Sequence, residues 1–272
     1  MVLLVEPLLL RVQFTKRDMM RFLSHSEFAR TLIMAARRAS LPLAFAGKYR
    51  KRVKISLSPP IPIGFTSDCE IVDFFLDSYL SPMEASQRLS NSLPNGIEVV
   101  RVKLIGTGAR AVGKLIDTAS YRATLPSSFD SEIRLRMAIE SFLSKETIEY
   151  KRIQPRRTRF VDLRKGVHSL VLEKNQDDNI EVLMVLDDGV SGTVKPLEVL
   201  DVLMSYAQVP FEPEKILVNR EGLFTRRAGR LISPMEITYV GKSLIVHKDK
   251  LSRRKKIEKE ERDADFKKRA RP

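Results

Sequence analysis

LLRVQFTKRDMMRFLSHSEFARTLIMAARRASLP, residues 9–42, is the stretch whose reading decides the fold. Leu9 to Thr15 sets apolar Leu9, Val12 and Phe14 around Arg11 and Gln13, the alternation of a half-buried strand. Ser24-His25-Ser26-Glu27 has capping-box spacing. The Ser24 hydroxyl takes the Glu27 amide while the Glu27 carboxylate reaches back to the Ser24 amide. The helix opened there runs to about Ala39, with Phe28, Leu32, Ala35, Ala36 and Ala39 at helical spacing on one side and Arg30, Arg37 and Arg38 elsewhere. Ser40-Leu41-Pro42 ends it, because the residue before a proline is pushed out of the helical region.

Further along, Val53 to Leu57 reads as a short strand. Pro59, Pro60 and Pro62 make an extended connection with Gly64 as a turn. Glu70 to Leu76 is a strand rich in Ile71, Val72, Phe74 and Phe75, with Cys69 a small semi-buried thiol just before it. Ser81-Pro82-Met83-Glu84 opens a second helix with proline at its first position, where the missing amide costs nothing. Pro94-Asn95-Gly96 stops it, and Ile97 to Ile105 is the last strand. This βαββαβ order is the split-βαβ, ferredoxin-like plan. Gly106 to Lys114, GTGARAVGK, resembles a phosphate loop, but Leu115 stands where a Walker loop needs Ser or Thr and the run follows a closing strand. It reads as a linker.

The second half repeats the order. Tyr121 to Leu125 is a strand, and Asp130 to Phe142 a helix with Ile133, Met137 and Ile139 inward. Val167 to Lys174 and Ile180 to Leu186 form a hairpin across residues 175–179. Pro196 to Tyr206 is a helix and Ile216 to Asn219 a strand, while Lys151 to Arg164 is an added segment. The expected class is α+β, with two tandem ferredoxin-like units: residues 1–105, a linker over 106–118, and an elaborated second unit over 119–247. Residues 248–272 alternate Lys/Arg with Asp/Glu and form a basic tail, helical or disordered.

A net charge of +14 and a pI near 9.9 favour a polyanionic partner, since Lys and Arg gain affinity from phosphates without reading sequence. Solubility alone, or an acidic protein partner, is compatible with the same excess. The single cysteine forms no internal disulfide and fits a reducing compartment. Met1 to Leu10 is apolar but interrupted by Glu6 and Pro7, and is shorter than the roughly 20 residues a bilayer span needs. A cytoplasmic location is expected.

His25, His168 and His247 lie far apart and show no ligand spacing, so neither a metal nor another cofactor is expected. Asp187-Asp188 before Gly189 reads as turn chemistry. His25, in the first helical turn beside Ser24 and near Arg21, is the one weak candidate for a general base. Its bland alternative is a ring packed at a helix start. Lys48, Tyr49, Arg50, Lys51, Arg52 and Lys54 place five cations around one aromatic, suited to phosphates and a stacked base. Lys151, Arg152, Arg156, Arg157 and Arg159 form a second basic cluster. Each cluster alone reads as a solvated loop. Together with the tail they point to RNA.

Arg21-Phe22-Leu23-Ser24-His25, Arg37-Arg38 through Pro42, and Lys54-Ile55-Ser56 through Pro60 to Gly64 together resemble the radical-SAM-linked domain of unknown function. That domain is encoded beside, or fused to, a cobalamin-binding radical SAM protein. Gly229 to Glu236 is similar to the family's closing segment. The family's Asn-Pro-His-Pro type turn is replaced here by Arg50-Lys51-Arg52-Val53. The resemblance implies an accessory role in which the iron–sulfur and SAM chemistry belongs to a partner chain. The lone cysteine, too few for a cluster, agrees. The expected function is that of a non-catalytic accessory that binds RNA and presents substrate to a separately encoded radical SAM enzyme; the alternatives are a metal-independent endoribonuclease on a ferredoxin-like scaffold or a protein-binding adaptor.

Overall fold

Alternation at the start of the chain produces β1, Leu8–Lys16, and the capping box at Ser24 is complete, opening α1, His25–Arg38. The structure is a computed structural model. It describes residues 8–246 apart from 48, 50, 107–108, 127–131, 155–156, 176, 178, 191 and 241–242. The expected tail, the first seven residues and His247 lie outside the described residues.

A small hairpin of β2 (Phe45–Ala46) and β3 (Arg52–Val53) follows α1, then β4 (Ile55–Leu57), β5 (Thr66–Leu76), α2 (Pro82–Ser90) and β6 (Val99–Ile105). The single strand expected over Val53–Leu57 is two. Lys54 donates its amide to Ala44 O and accepts from Phe75 N, so the chain changes partners there. β1 lies between β5 and β6, antiparallel to both, and β4 pairs antiparallel with β5. The order is β6-β1-β5-β4.

After a packed turn at Val112–Lys114 come β7 (Thr118–Thr124), α3 (Glu132–Ser144), the hairpin β8 (Glu149–Gln154) and β9 (Arg157–Asp162), then β10 (Val167–Lys174), β11 (Ile180–Asp187), α4 (Pro196–Ala207) and β12 (Leu217–Arg227). β7 lies between β11 and β12, with β10 outside, all antiparallel. The segment Lys151 to Arg164 that interrupts this half is the β8–β9 hairpin. β12 runs far past the expected Asn219 because a bulge between Arg220 and Gly222 resets its register and lets it continue.

β12 then pairs in parallel with β5 through Asn219–Thr66 and Arg220–Ser67. Among the described residues nine strands thus form one sheet, β10-β11-β7-β12-β5-β1-β6, with β4 and β13 (Arg230–Ile232) off that path. β14 (Ile237–Val240) and β15 (Ser243–Val246) pair separately. The architecture is mixed α+β.

Two apolar clusters hold the helices on the sheet. Phe28, Leu32 and Ala36 of α1, with Ala85 and Leu89 of α2, pack on Val12, Phe14, Val72 and Phe74. The cluster under α3 and α4 also takes in Ile61, Phe65, Cys69 and Ile71 from the first half. Cys69 is thus inside β5 and fully buried rather than semi-buried before it. In α3 the expected inward trio holds only for Ile139. Ile133 and Met137 are 76% and 65% exposed, while Leu135, Ala138 and Phe142 face the core, because the spacing of those three aligns better with the helical repeat.

A buried ion pair centres another part of the first sheet. Arg11 donates to both Asp73 oxygens at 2.7 and 2.9 Å, and to Pro234 O and Arg110 O at 2.9 and 3.1 Å. Asp73 also accepts from Val112 N at 2.7 Å. One pair therefore ties the 106–114 segment and residues 229–236 to the sheet. Removing one buried partner strands the other charge. Asp73→Ala is expected to cost about 3–5 kcal/mol in urea unfolding, whereas the joint replacement Arg11→Met with Asp73→Leu recovers most of that loss.

Candidate functional site: a cleft over a buried ion-pair seam

Arg220 stands mid-strand in β12 and is 0% exposed. A guanidinium there is tolerable only with partners on every side. It bonds Glu70 of β5 through Nε at 3.1 Å and through Nη2, meets Asp188 Oδ2 at 3.3 Å, and donates to Pro59 O at 3.1 Å. Ser58 Oγ donates to Glu70 at 3.3 Å, and the Tyr121 hydroxyl to Asp188 at 2.9 Å. The cluster sits where β12 meets β5, so both halves supply ligands for one charge. Burial alone lowers the Arg220 pKa, but Glu70 and its other neighbours more than reverse this and hold it charged. Burial pushes the Asp188 carboxyl above the usual carboxylate range against the pull of Arg220, and pushes the Tyr121 phenol up.

The first motif block lies beside this seam. Lys16 Nζ donates to Leu23 O at 2.9 Å, and burial lowers its pKa, partly offset by Glu70. Arg21 O accepts from Gly64 N at 2.9 Å, which binds the two motif blocks together. Gly64 has φ +92 with open space around it, so backbone conformation alone calls for glycine there. Arg21 Nε is buried with no hydrogen-bond partner among the described residues, and its guanidinium lies 4.8 Å over the Phe22 ring. His25 is half-buried. Burial lowers its pKa, Glu70 opposes this, and Arg220 and Lys16 reinforce it.

Above the seam opens a cleft of about 650 Å³. Tyr121 and Asp188 contribute to its lining, Pro60 to Phe65 of the first half supply apolar surface, and Arg159 and Lys195 bring cations. Arg152 is held by Glu198, bidentate at 2.7 and 2.6 Å, and by Thr193 O at 2.7 Å, which braces the β8–β9 hairpin against α4. Arg159, its cross-strand neighbour, carries no ion pair among the described residues. On the hairpin's other face Ile153 and Phe160 are 77% and 61% exposed.

The sequence-predicted residues divide. Arg159 and Pro60 line the cleft, Arg21 and Gly64 share a backbone hydrogen bond, His25 is within electrostatic reach of Glu70 and Arg220, and Ser24 caps α1. Tyr49, Lys51, Arg52 and Lys54 are exposed, but Lys54 sits over the Phe75 ring at 4.2 Å, at the end of β5 away from the cleft. Among the described residues, only the second basic cluster reaches the cleft, through Arg152 and Arg159. Lys48, Arg50 and Arg156 lie outside the described residues, as does the side chain of Arg157. Arg38 donates to Ser92 O, Pro42 O accepts from Asp77 N, and Ser56 Oγ accepts from Gly113 N, while Arg37 is exposed near the end of α1.

Asp187 and Asp188 are not turn chemistry. Asp187 pairs with Arg226 and His168, both at 2.7 Å, and Asp188 belongs to the seam. Tyr121, Glu70, Asp188 and Arg220 escaped the sequence reading. Lone charges inside otherwise apolar strands, CEIVDFF and LVNREGLF, were the available signal.

What fold and site define together is an α+β protein with a ligand-sized cleft between two halves clamped by shared buried ion pairs. The family described as "Uncharacterized protein conserved in bacteria (DUF2344)" matches residues 9–196, and the chain belongs to that family. No curated protein matches it. Among solved structures it is similar to a chain of a Cbf5-Nop10-Gar1 complex at a TM-score of 0.42 and 8% identity, covering 79% of this chain and 48% of that one. It is similar to a heavy metal efflux pump at 0.20 and 8%, covering 79% and 28%. The chain thus spans about half or less of either, and both scores are too low to carry meaning for the fold.

Because burial holds the folded His25 pKa below the ordinary imidazole value of about 6.5, the unfolded chain binds the proton more readily. Stability from this group is complete above that value and falls as pH drops through it toward the folded pKa. Urea midpoints measured from pH 7.5 to 5 are expected to decline in the wild type and to decline less in His25→Gln.

Proposed function

We propose that the protein is a non-catalytic accessory that binds RNA and presents it to a radical SAM enzyme carried on a separate chain. The observation that carries the reading is the cleft itself, where the Pro60–Phe65 segment of the family-like motif meets Arg159 and Lys195. Cations gain affinity from phosphates by counterion release, and flat apolar surface accepts unstacked bases. The exposed Lys51 and Arg52 lie away from the cleft, Arg52 in strand β3 of the β2–β3 hairpin and Lys51 just before that strand. RNA engaging both would have to run lengthwise over the first half.

The partner comes from the resemblance of the motif blocks. Cys69 is consistent with it: burial pushes its thiol up to about 12, far from a ligand-ready thiolate. We read both halves as ferredoxin-like units, supported by the antiparallel order in which the first and third principal strands of each are central neighbours. A cytoplasmic setting goes with the same reading.

The endoribonuclease alternative has one observation in its favour. Burial, reinforced by Arg220 and Lys16 and opposed by Glu70, shifts the His25 imidazole toward its neutral form, the form a general base needs. An RNA-cleaving wild type whose rate collapses in His25→Ala would establish that alternative.

Filter binding of tRNA or rRNA fragments across a salt series tests the RNA part. The expected result is a steep salt slope that falls by about one for each phosphate contact removed in Arg159→Glu or in Lys51→Glu with Arg52→Glu. Affinity absent at low salt, or unchanged in these variants, sinks it. Pull-down from native lysate is expected to recover a radical SAM protein. Recovery of other proteins alone would leave the adaptor.

A further inference from the structure

The cleft has a floor with unused hydrogen-bonding capacity. Asp188 is 1% exposed. Its Oδ2 is occupied by the Tyr121 hydroxyl and Arg220, while Oδ1 has only the Thr193 hydroxyl at 3.5 Å. One acceptor oxygen, rigidly held from behind, is therefore available to a ligand N–H. Pro60, Pro62 and Leu197 add apolar surface to the same cleft, and Arg159 and Lys195 bring positive charge to it. Lys195 lies 3.8 Å from Glu198, whose carboxylate is already committed to Arg152. A buried acceptor, flat apolar walls and two cations within about 650 Å³ match a ligand carrying an N–H edge, a planar face and an anion. Pockets of this size hold ligands on that scale.

We propose that the cleft is a nucleotide subsite. It takes one nucleoside monophosphate unit, with the base edge donating to Asp188 Oδ1, the base against Pro60, Pro62 and Leu197, and the phosphate at Arg159 and Lys195. Placing that unit within a longer strand rests on the RNA reading above, in which it is a single splayed-out nucleotide. A lone acceptor oxygen accepts one N–H, which each of the four bases can supply, so discrimination among bases is weak.

Calorimetric titration of the full chain with the four nucleoside 5′-monophosphates, a mixed-sequence single-stranded RNA and a poly-glutamate peptide tests the subsite, with thermal unfolding as a folding control. The variants are Thr193→Trp, which fills the cleft, and Arg159→Glu. Saturable binding of all four monophosphates, weakened about tenfold or more in both variants, supports the proposal. Monophosphate binding that Thr193→Trp abolishes, in a protein that ignores RNA, also supports the subsite and assigns it to free nucleotide, retiring the RNA reading. RNA bound equally by wild type and Thr193→Trp, with no monophosphate binding, overturns the subsite and leaves RNA binding intact. Poly-glutamate binding that Thr193→Trp abolishes, with nucleotides inert, overturns it in favour of an acidic protein.

Discussion

Burying a guanidinium is among the most costly acts a chain performs, and Arg220 does it where β12 of the second half pairs with β5 of the first. Its partners come from three directions: Glu70 from β5, Asp188 from the end of β11, and Pro59 O from the extended connection. None of the three sits correctly unless the halves dock in register. The β5–β12 pairing is short, and the apolar surround of Ile61, Phe65 and Cys69 supplies bulk burial without orientation. Direction comes from the charges. The cleft follows from this, since its Asp188 wall is part of the same cluster that aligns the sheet.

The family-like segments acquire separate physical duties on this view. Arg21 to His25 and Pro59 to Gly64 are tied together by the Arg21–Gly64 hydrogen bond, and Pro59 O reaches Arg220 in the seam. Residues 229–236 instead supply Pro234 O to Arg11, with Lys103 Nζ donating to Met235 O at 3.4 Å. Gly189 serves the junction too. At φ +98 its backbone approaches Ile116 so closely that a Cβ would lie 2.6 Å from the carbonyl oxygen, and only glycine lets the chain leave Asp188 in that direction.

Local chemistry made most elements of the fold legible before any coordinates. The capping box at Ser24, Pro82 at a helix start, and the alternation in β1 act within a few residues, so they can be read one segment at a time. The β12 extension was hidden because Glu221-Gly222 breaks the period at a bulge. The inward face of α3 was misread because Ile133 and Met137 are as apolar as the residues that win the core. The site was least legible. Arg159 and the Pro60–Gly64 segment were found by charge and resemblance, but Arg220, Glu70 and Asp188 are partners across 150 and 32 positions, and no local pattern pairs them. Composition also says nothing of distance: Lys51 and Arg52, read as a cluster separate from that of Arg159, lie toward the other end of β5.

Joining two sheets along β5 and β12 also changes what the molecule shows to its own neighbours. Open sheets recruit other strands at their borders, and here two borders are consumed internally. The outer strands β6 and β10 carry Arg101 and Lys103 on one side of the molecule and His168, Glu173 and Lys174 on the other. Each limit of the sheet is thus guarded by charge. The junction that shapes the cleft therefore also takes two strand edges out of reach of edge-to-edge pairing.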